Sequence, residues 1–142
     1  MFNLPFKVYF KKYLNPLFAT LSTSALLDNY PDTTGVEEIL ELPSKVEEQV
    51  LVNNSVIKPV YSDLDCNNHV NNTKYVEWAL NLLDLSYINT HVVISTQVDY
   101  HKEIKYTDLV EVEYELKEDK LYVNYKVEEA LAAVCLIEFK ER

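Results

Sequence analysis

The chain has 142 residues, of which 48% are hydrophobic, and its formal net charge is −10. This length suits one domain with a hydrophobic core, and the apolar content excludes an intrinsically disordered protein. The acidic balance argues against nucleic-acid binding, which needs a basic surface, and no apolar run is long enough for a membrane span.

The first fifty residues carry weak structural signals. Residues 17–27 have some strand character, residues 36–42 suit a short helix, and residues 44–54 have the composition of a connector. We therefore predict two regions, an N-terminal extension over residues 1–49 and a folded domain over residues 50–142.

A helix is predicted over residues 75–85. Its only polar residues are Glu77, Asn81 and Asp84, and their spacing places them on one narrow stripe. A helix that is apolar around most of its circumference needs to be surrounded, and a curved sheet would do this. The candidate N-cap residues are Asn71, Asn72 and Thr73.

Strands are expected on both sides of this helix in the chain. Their signals are β-branched residues or an alternation of apolar and polar residues. The strands are predicted near residues 55–61 and over residues 90–99, 109–116, 121–127 and 130–137. A polar turn at Glu118 and Asp119 joins two of them. The predicted fold class is α+β, with an antiparallel sheet wrapped around one long buried helix.

Three polar residues stand just before the helix. Asp65, Asn67 and His69 occupy alternate positions, so an extended backbone would direct all three side chains to the same side. A carboxylate, an amide and an imidazole gathered at a helix start suit a site that polarises a carbonyl and activates water. The plainer alternative is that Asp65 and Asn67 are ordinary turn and capping residues.

The cysteines and the remaining histidines indicate neither a metal nor a cofactor. Alternation directs Cys66 away from Asp65 toward apolar packing, and Cys135 lies in the most apolar strand. His91 and His101 show no metal-ligand spacing with the cysteines. Two cysteines, with no signal-peptide pattern at the start of the chain, lead us to expect a reducing, cytoplasmic location.

Two segments together resemble the fatty acyl-ACP thioesterases, which have the hotdog fold. The first runs Ser62-Asp63-Leu64-Asp65-Cys66-Asn67-Asn68-His69-Val70-Asn71-Asn72 and continues with Lys74-Tyr75 and Trp78. The second is Asp99-Tyr100-His101-Lys102-Glu103. The resemblance covers the chain from about residue 50 to its end.

The resemblance implies a function and a set of site residues. The function is hydrolysis of fatty acyl thioesters in fatty acid biosynthesis, with acyl-ACP preferred and free fatty acid released. The implied catalytic residues are Asp65, Asn67, His69 and Glu103. In this picture the Asn and His groups orient the thioester, and the acid on the neighbouring strand activates water. Substrate-binding roles then fall to Asn71, Asn72, Tyr75 and Trp78.

The chain departs from the family pattern in two respects. Plant members often carry a cysteine directly after the strand glutamate, whereas this chain has Ile104, so a Cys–His mechanism through that position is excluded. Family members also usually have two hotdog modules. Residues 1–49 are too few for a first module and are expected to be its remnant plus a linker. A lone module exposes apolar surface, so we expect a homodimer or a higher oligomer.

Two other functions remain open from the sequence. One is a single-hotdog acyl-CoA thioesterase, although that related family commonly has glycine where this chain has Asn68. The other is a truncated, non-catalytic hotdog module that binds acyl groups or serves in assembly. The expected partner is therefore acyl carrier protein or a CoA thioester.

Overall fold

The computed structural model describes the backbone of residues 7–12 and all of residues 45–142. Its strands are β1 (Lys7–Lys12), β2 (Asn53–Ile57), β3 (His91–Tyr100), β4 (Val110–Lys117), β5 (Lys120–Val127) and β6 (Ala130–Glu141). Its helices are α1 (Lys74–Leu80) and α2 (Leu85–Thr90), and a 3₁₀ turn spans Tyr61–Asp63. The elements predicted over residues 17–27 and 36–42 lie outside the described residues.

The strands form one six-stranded sheet in the order β1-β3-β6-β5-β4-β2. All neighbouring strands are antiparallel except β1, which pairs with β3 in parallel. Two-residue turns close the β4–β5 and β5–β6 hairpins. Glycine is absent from both turns, although their residues have positive φ: Glu118 (47°), Asp119 (61°), Glu128 (51°) and Glu129 (64°). The turn predicted at Glu118 and Asp119 is confirmed.

Alternation along β4 and β5 places one face of the sheet against the helices. The apolar residues that alternate along β5 are all buried: Leu121, Val123, Tyr125 and Val127. On β4, Val110 and Val112 are buried, whereas Leu116 is exposed. Leu116 lies opposite the buried Leu121 of β5, but on its other side β2 pairs with β4 only as far as Tyr114, so Leu116 lies at the open edge of the described sheet.

The single long helix expected over residues 75–85 is instead two short helices. Helix α1 ends at Leu80, and the chain turns before Asp84, whose extended backbone (φ −64°, ψ 142°) precedes α2. Leu82 and Leu83 lie in the turn yet pack against the core. The apolar content that indicated one helix is therefore shared by a helix, a turn and the start of the next helix. None of the described helices is long and apolar enough to cross a bilayer.

Residues 45–51 lie against the opposite face of the sheet. The Val46 N–H donates to Asp99 Oδ2 at 2.6 Å, and Asn124 Nδ2 donates to the Gln49 carbonyl at 2.8 Å. Lys126 pairs with Glu48 at 3.1 Å. Because β3 and β5 provide these contacts, the segment before β2 is held on the sheet.

Candidate active site

The loop before α1 is organised by one carboxylate. Asp65 Oδ1 accepts hydrogen bonds from the N–H groups of Asn67 (2.9 Å) and His69 (3.1 Å), and the Asp65 N–H donates to the His69 carbonyl at 2.8 Å. The extended backbone expected here is wrong, because Cys66 and Asn67 form a turn and Asn68 has a φ of 60°. Cys66 is exposed rather than packed against apolar residues. The three predicted side chains thus share a tight loop and not one side of a strand.

A second loop, after β3, meets the first through the main chain. The Val70 N–H donates to the Ile104 carbonyl at 2.8 Å, and His69 and Lys105 form an isolated β-bridge. This pairing brings Nδ1 of His69 to 3.3 Å from Oε2 of Glu103. Two of the predicted catalytic residues are therefore in contact, although they come from separate loops.

A cavity of about 140 Å³ opens beside this pair. It is lined by Asp65, His69, Val70, Asn71, Asn72, Tyr75, Tyr100, Lys102 and Glu103. Most of the predicted site residues are in this lining. Tyr100 and Lys102 lie in the segment that carried the family resemblance, and no role was predicted for Tyr100.

Asn67 and Trp78 are not among the lining residues. Asn67 is exposed on the turn that Asp65 holds. Trp78 is buried in the core, where its ring centroid lies 5.7 Å from that of Tyr75 and 6.1 Å from that of Tyr125. The catalytic role of Asn67 and the substrate-binding role of Trp78 stay predictions.

The turn that leads into α1 leaves hydrogen-bond donors near the cavity. Asn71 Oδ1 accepts from both the N–H (3.1 Å) and the hydroxyl (3.0 Å) of Thr73, which is the N-cap residue. With its carbonyl oxygen used in this way, the Asn71 amide has its NH₂ group left as a donor. The hydroxyl of Tyr100 donates to the Asn72 carbonyl at 2.7 Å.

The two tyrosines in the cavity wall remain uncharged at neutral pH. Burial raises the pKa of both Tyr75 and Tyr100 above the ordinary value of 10.0. They can therefore donate hydrogen bonds but do not act as bases. Among the described residues, no cluster of three or more His, Cys, Asp or Glu side chains could hold a metal ion. The proton-accepting groups of the cavity are the Glu103 and Asp65 carboxylates and the His69 imidazole.

Comparison with known proteins places this geometry in a family. The model of the acyl-ACP thioesterase C-terminal domain matches residues 46–139, a range that includes both loops. Oleoyl-acyl carrier protein thioesterase 2, chloroplastic, from Arabidopsis thaliana is 38% identical over 55 residues, which are 39% of this chain and 15% of that protein. Dodecanoyl-[acyl-carrier-protein] hydrolase, chloroplastic, from Cinnamomum camphora is 40% identical over 47 residues, which are 33% of this chain and 12% of that protein.

Solved structures show the same fold. An acyl-ACP thioesterase from Bacteroides thetaiotaomicron superimposes with a TM-score of 0.63 at 23% identity, covering 72% of this chain and 43% of that chain. The 12:0-ACP thioesterase from Umbellularia californica gives 0.64 at 17% identity, covering 87% of this chain and 48% of that chain. The matched part of this chain thus spans less than half the length of each of these four relatives. The hotdog fold and the α+β class are confirmed, and the chain belongs to the family of acyl-ACP thioesterase C-terminal domains.

Proposed function

We propose that this chain hydrolyses fatty acyl thioesters, preferring acyl-ACP and releasing free fatty acid. The observation that carries the proposal is the contact of 3.3 Å between His69 and Glu103 beside a cavity lined with further polar groups. Thioester hydrolysis needs a base for water and hydrogen-bond donors for the carbonyl oxygen that becomes negative. Both kinds of group border this cavity.

In the proposed reaction Glu103 is the base. Nδ1–H of His69 donates to one carboxylate oxygen and holds the group at the cavity, which leaves the other oxygen free to accept a proton from water. The water oxygen forms a bond to the carbonyl carbon, the C–S bond breaks, and the leaving thiolate takes up the proton that Glu103 accepted. Ile104 follows Glu103 in the chain, so no thiol at that position takes part.

The remaining site residues orient the thioester in this proposal. Asp65 holds the loop that carries His69, through its bonds to two main-chain N–H groups. The amides of Asn67, Asn71 and Asn72 supply donors for the thioester carbonyl, and the Tyr75 ring forms part of the wall. One well-placed donor to such an oxygen is typically worth about 3–4 kcal/mol of transition-state stabilisation.

The preference for acyl-ACP rests on local charge. Acyl carrier protein is acidic, and so is this chain as a whole. The exposed Lys102 lines the cavity, Lys105 lies next to His69 through the β-bridge, and Lys12 stands opposite Tyr100 in the register of β1 with β3. Lys102 and Lys105 give an acidic carrier a place to dock at the cavity despite the overall charge.

The organisation of the chain is part of the same proposal. The hotdog domain of this proposal covers residues 50–142, and residues 1–49 are an N-terminal extension whose strand β1 pairs with β3 of the domain. The edge strand β2 exposes 59% of Val56, and Val52 before it is 71% exposed, which supports a homodimer or higher oligomer. We propose a cytoplasmic location in fatty acid biosynthesis, although the plant relatives named above are chloroplastic.

The test is release of free thiol from a panel of acyl-ACP and acyl-CoA thioesters. Wild type is compared with His69→Ala, and with His91→Ala as a control at the far end of β3. Turnover that is lost only in His69→Ala supports the proposal, and faster turnover of acyl-ACP supports the carrier preference. Faster turnover of acyl-CoA would favour the single-hotdog acyl-CoA thioesterase. A folded wild-type chain without turnover on any substrate would favour a non-catalytic acyl-binding or assembly module.

A further inference from the structure

Two buried tyrosines flank Tyr75 in the same manner. The ring of Tyr100 lies 5.1 Å from that of Tyr75 at an interplanar angle of 85°, and the ring of Tyr125 lies 5.4 Å away at 90°. Each donates its hydroxyl hydrogen to a main-chain carbonyl. Tyr100 bonds to Asn72 at 2.7 Å, and Tyr125 bonds to Tyr75 at 2.6 Å.

The two hydrogen bonds differ in what they connect. Tyr125 lies in β5, and its bond holds α1 on the sheet. Tyr100 is the last residue of β3, directly before the loop that carries Glu103, and its acceptor Asn72 lies in the loop that carries His69. The Tyr100 bond therefore joins the two loops that supply the catalytic pair, and the side chain also lines the cavity.

Other links between these loops are made by the main chain, through Val70 to Ile104 and the β-bridge of His69 to Lys105. These lie beyond Glu103 in the chain. The Tyr100 bond lies before it, where the N–H groups of His101 and Lys102 also bond to the Ala132 carbonyl of β6, and of these attachments only the Tyr100 bond reaches the loop of His69. Because Glu103 and His69 are themselves 46% and 32% exposed, packing alone does not fix their side chains.

We propose that Tyr100 is a positioning residue, whose hydroxyl keeps Glu103 and His69 in contact by holding their loops together. This inference rests on the proposed function for its catalytic consequence, but the contact itself can be measured without any substrate. Tyr100→Phe removes the hydroxyl and keeps the ring against Tyr75. Tyr125→Phe is the matched control, since it removes an equally short bond from an equally buried ring outside the cavity.

The primary readout is the tautomer of neutral His69, observed through its imidazole ¹⁵N shifts by NMR of the whole chain at mildly alkaline pH. The hydrogen bond made by one ring nitrogen decides which nitrogen keeps the proton, so a contact with Glu103 selects Nδ1–H. We expect Nδ1–H in wild type and in Tyr125→Phe. In Tyr100→Phe we expect the loss of this preference, as in Glu103→Ala.

Three results would overturn the proposal: Nε2–H in wild type, an unchanged tautomer in folded Tyr100→Phe, or an equal change in Tyr125→Phe. Activity is a second arm, in which Tyr100→Phe is expected to lower kcat by roughly 10- to 100-fold with little change in KM, as small displacements of catalytic groups do. A tautomer change in a chain that hydrolyses no thioester would uphold the positioning role and reject the proposed function.

Discussion

Nδ1 of His69 lies 3.3 Å from Oε2 of Glu103, and each residue belongs to a loop whose main chain is bonded to the other loop. The pair is thus a product of loop pairing. Its geometry depends on groups that themselves have no chemical part in the reaction.

Replacing Glu103 tests the base directly. Glu103→Gln keeps the size of the side chain but cannot accept a proton from water, so kcat is expected to fall about 10²- to 10⁴-fold. Thiol release from acyl-ACP measures this, with Glu129→Gln, an exposed glutamate on the β5–β6 turn, as the control. Retention of full turnover by Glu103→Gln would remove Glu103 from the mechanism.

Asp65 is expected to act through the loop. Asp65→Ala removes the acceptor for the N–H groups of Asn67 and His69, and a bond to a charged group contributes about 1.5–3 kcal/mol. We expect faster amide hydrogen exchange over residues 65–70 together with lower kcat. Lower kcat with unchanged exchange would instead mean that Asp65 contacts the substrate.

Replacing Asn67 tests whether this residue is catalytic, as predicted from the sequence, or only forms part of the turn. Its side chain is exposed, so Asn67→Ala is expected to leave the free energy of unfolding within about 0.5 kcal/mol of wild type. If its amide donates to the thioester carbonyl, turnover falls nonetheless. Urea unfolding and thiol release on the same preparation measure both, and unchanged turnover would restrict the site to the residues that line the cavity.

Stability is expected to depend on pH through Glu113. Hydrogen bonds from Asn124 and Lys126 lower the pKa of its carboxyl below the ordinary 4.5. A lowered folded-state pKa stabilises the protein above the unfolded value, and this contribution is lost as the pH falls through the folded value. Urea unfolding should therefore show Glu113→Gln to be less stable than wild type by roughly 1 kcal/mol at pH 7.

The difference in the free energy of unfolding between Glu113→Gln and wild type should disappear as the pH falls below 4.5. Glu128→Gln, at an exposed turn, serves as the control and should follow wild type throughout. A gap that persists undiminished in acid would contradict the assignment, because the protonated wild-type carboxyl no longer has the charge that Lys126 stabilises.

The two cysteines should react very differently. Cys66 is exposed, whereas Cys135 is buried and its burial raises the pKa of the thiol to about 12. A disulfide reagent should titrate one thiol in the native chain and the second only after unfolding. Cys66→Ser should abolish the fast reaction and leave thioester hydrolysis intact. A loss of hydrolysis in this variant would give Cys66 a part in the site.

The sequence predicted strands β3 to β6 well, because β-branched residues and alternation of apolar and polar residues both report a buried strand face. It predicted which residues belong to the candidate site but not the conformation of the loop that carries Asp65. Asp65 binds main-chain N–H groups of its own loop, and this competes with an extended backbone in a way that residue spacing does not show. Leu82 and Leu83 lie in a turn but pack against the core. Buried turn residues have the same apolar character as buried helix residues, so the pattern indicated a continuous helix.

The role of Tyr100 had no signal that could be read from the sequence. Its partner is a carbonyl, and every residue in the chain has one, so only the fold selects Asn72. The parallel pairing of β1 with β3 was missed for a related reason: it joins segments far apart in the chain and leaves no local pattern.

The hairpin turns have a consequence for how this chain tolerates heat. A residue with a side chain costs about 1–2 kcal/mol in the left-handed region, and four acidic residues occupy it here. Replacing Asp119 would lose a contact, since its carboxylate accepts a bond from the Tyr87 hydroxyl, and its carbonyl accepts one from the Phe139 N–H. Glu128 and Glu129 are exposed, so Asn-Gly in their place would relieve strain in a two-residue turn. The β5–β6 turn is thus where an engineer could raise the melting temperature without altering the catalytic loops.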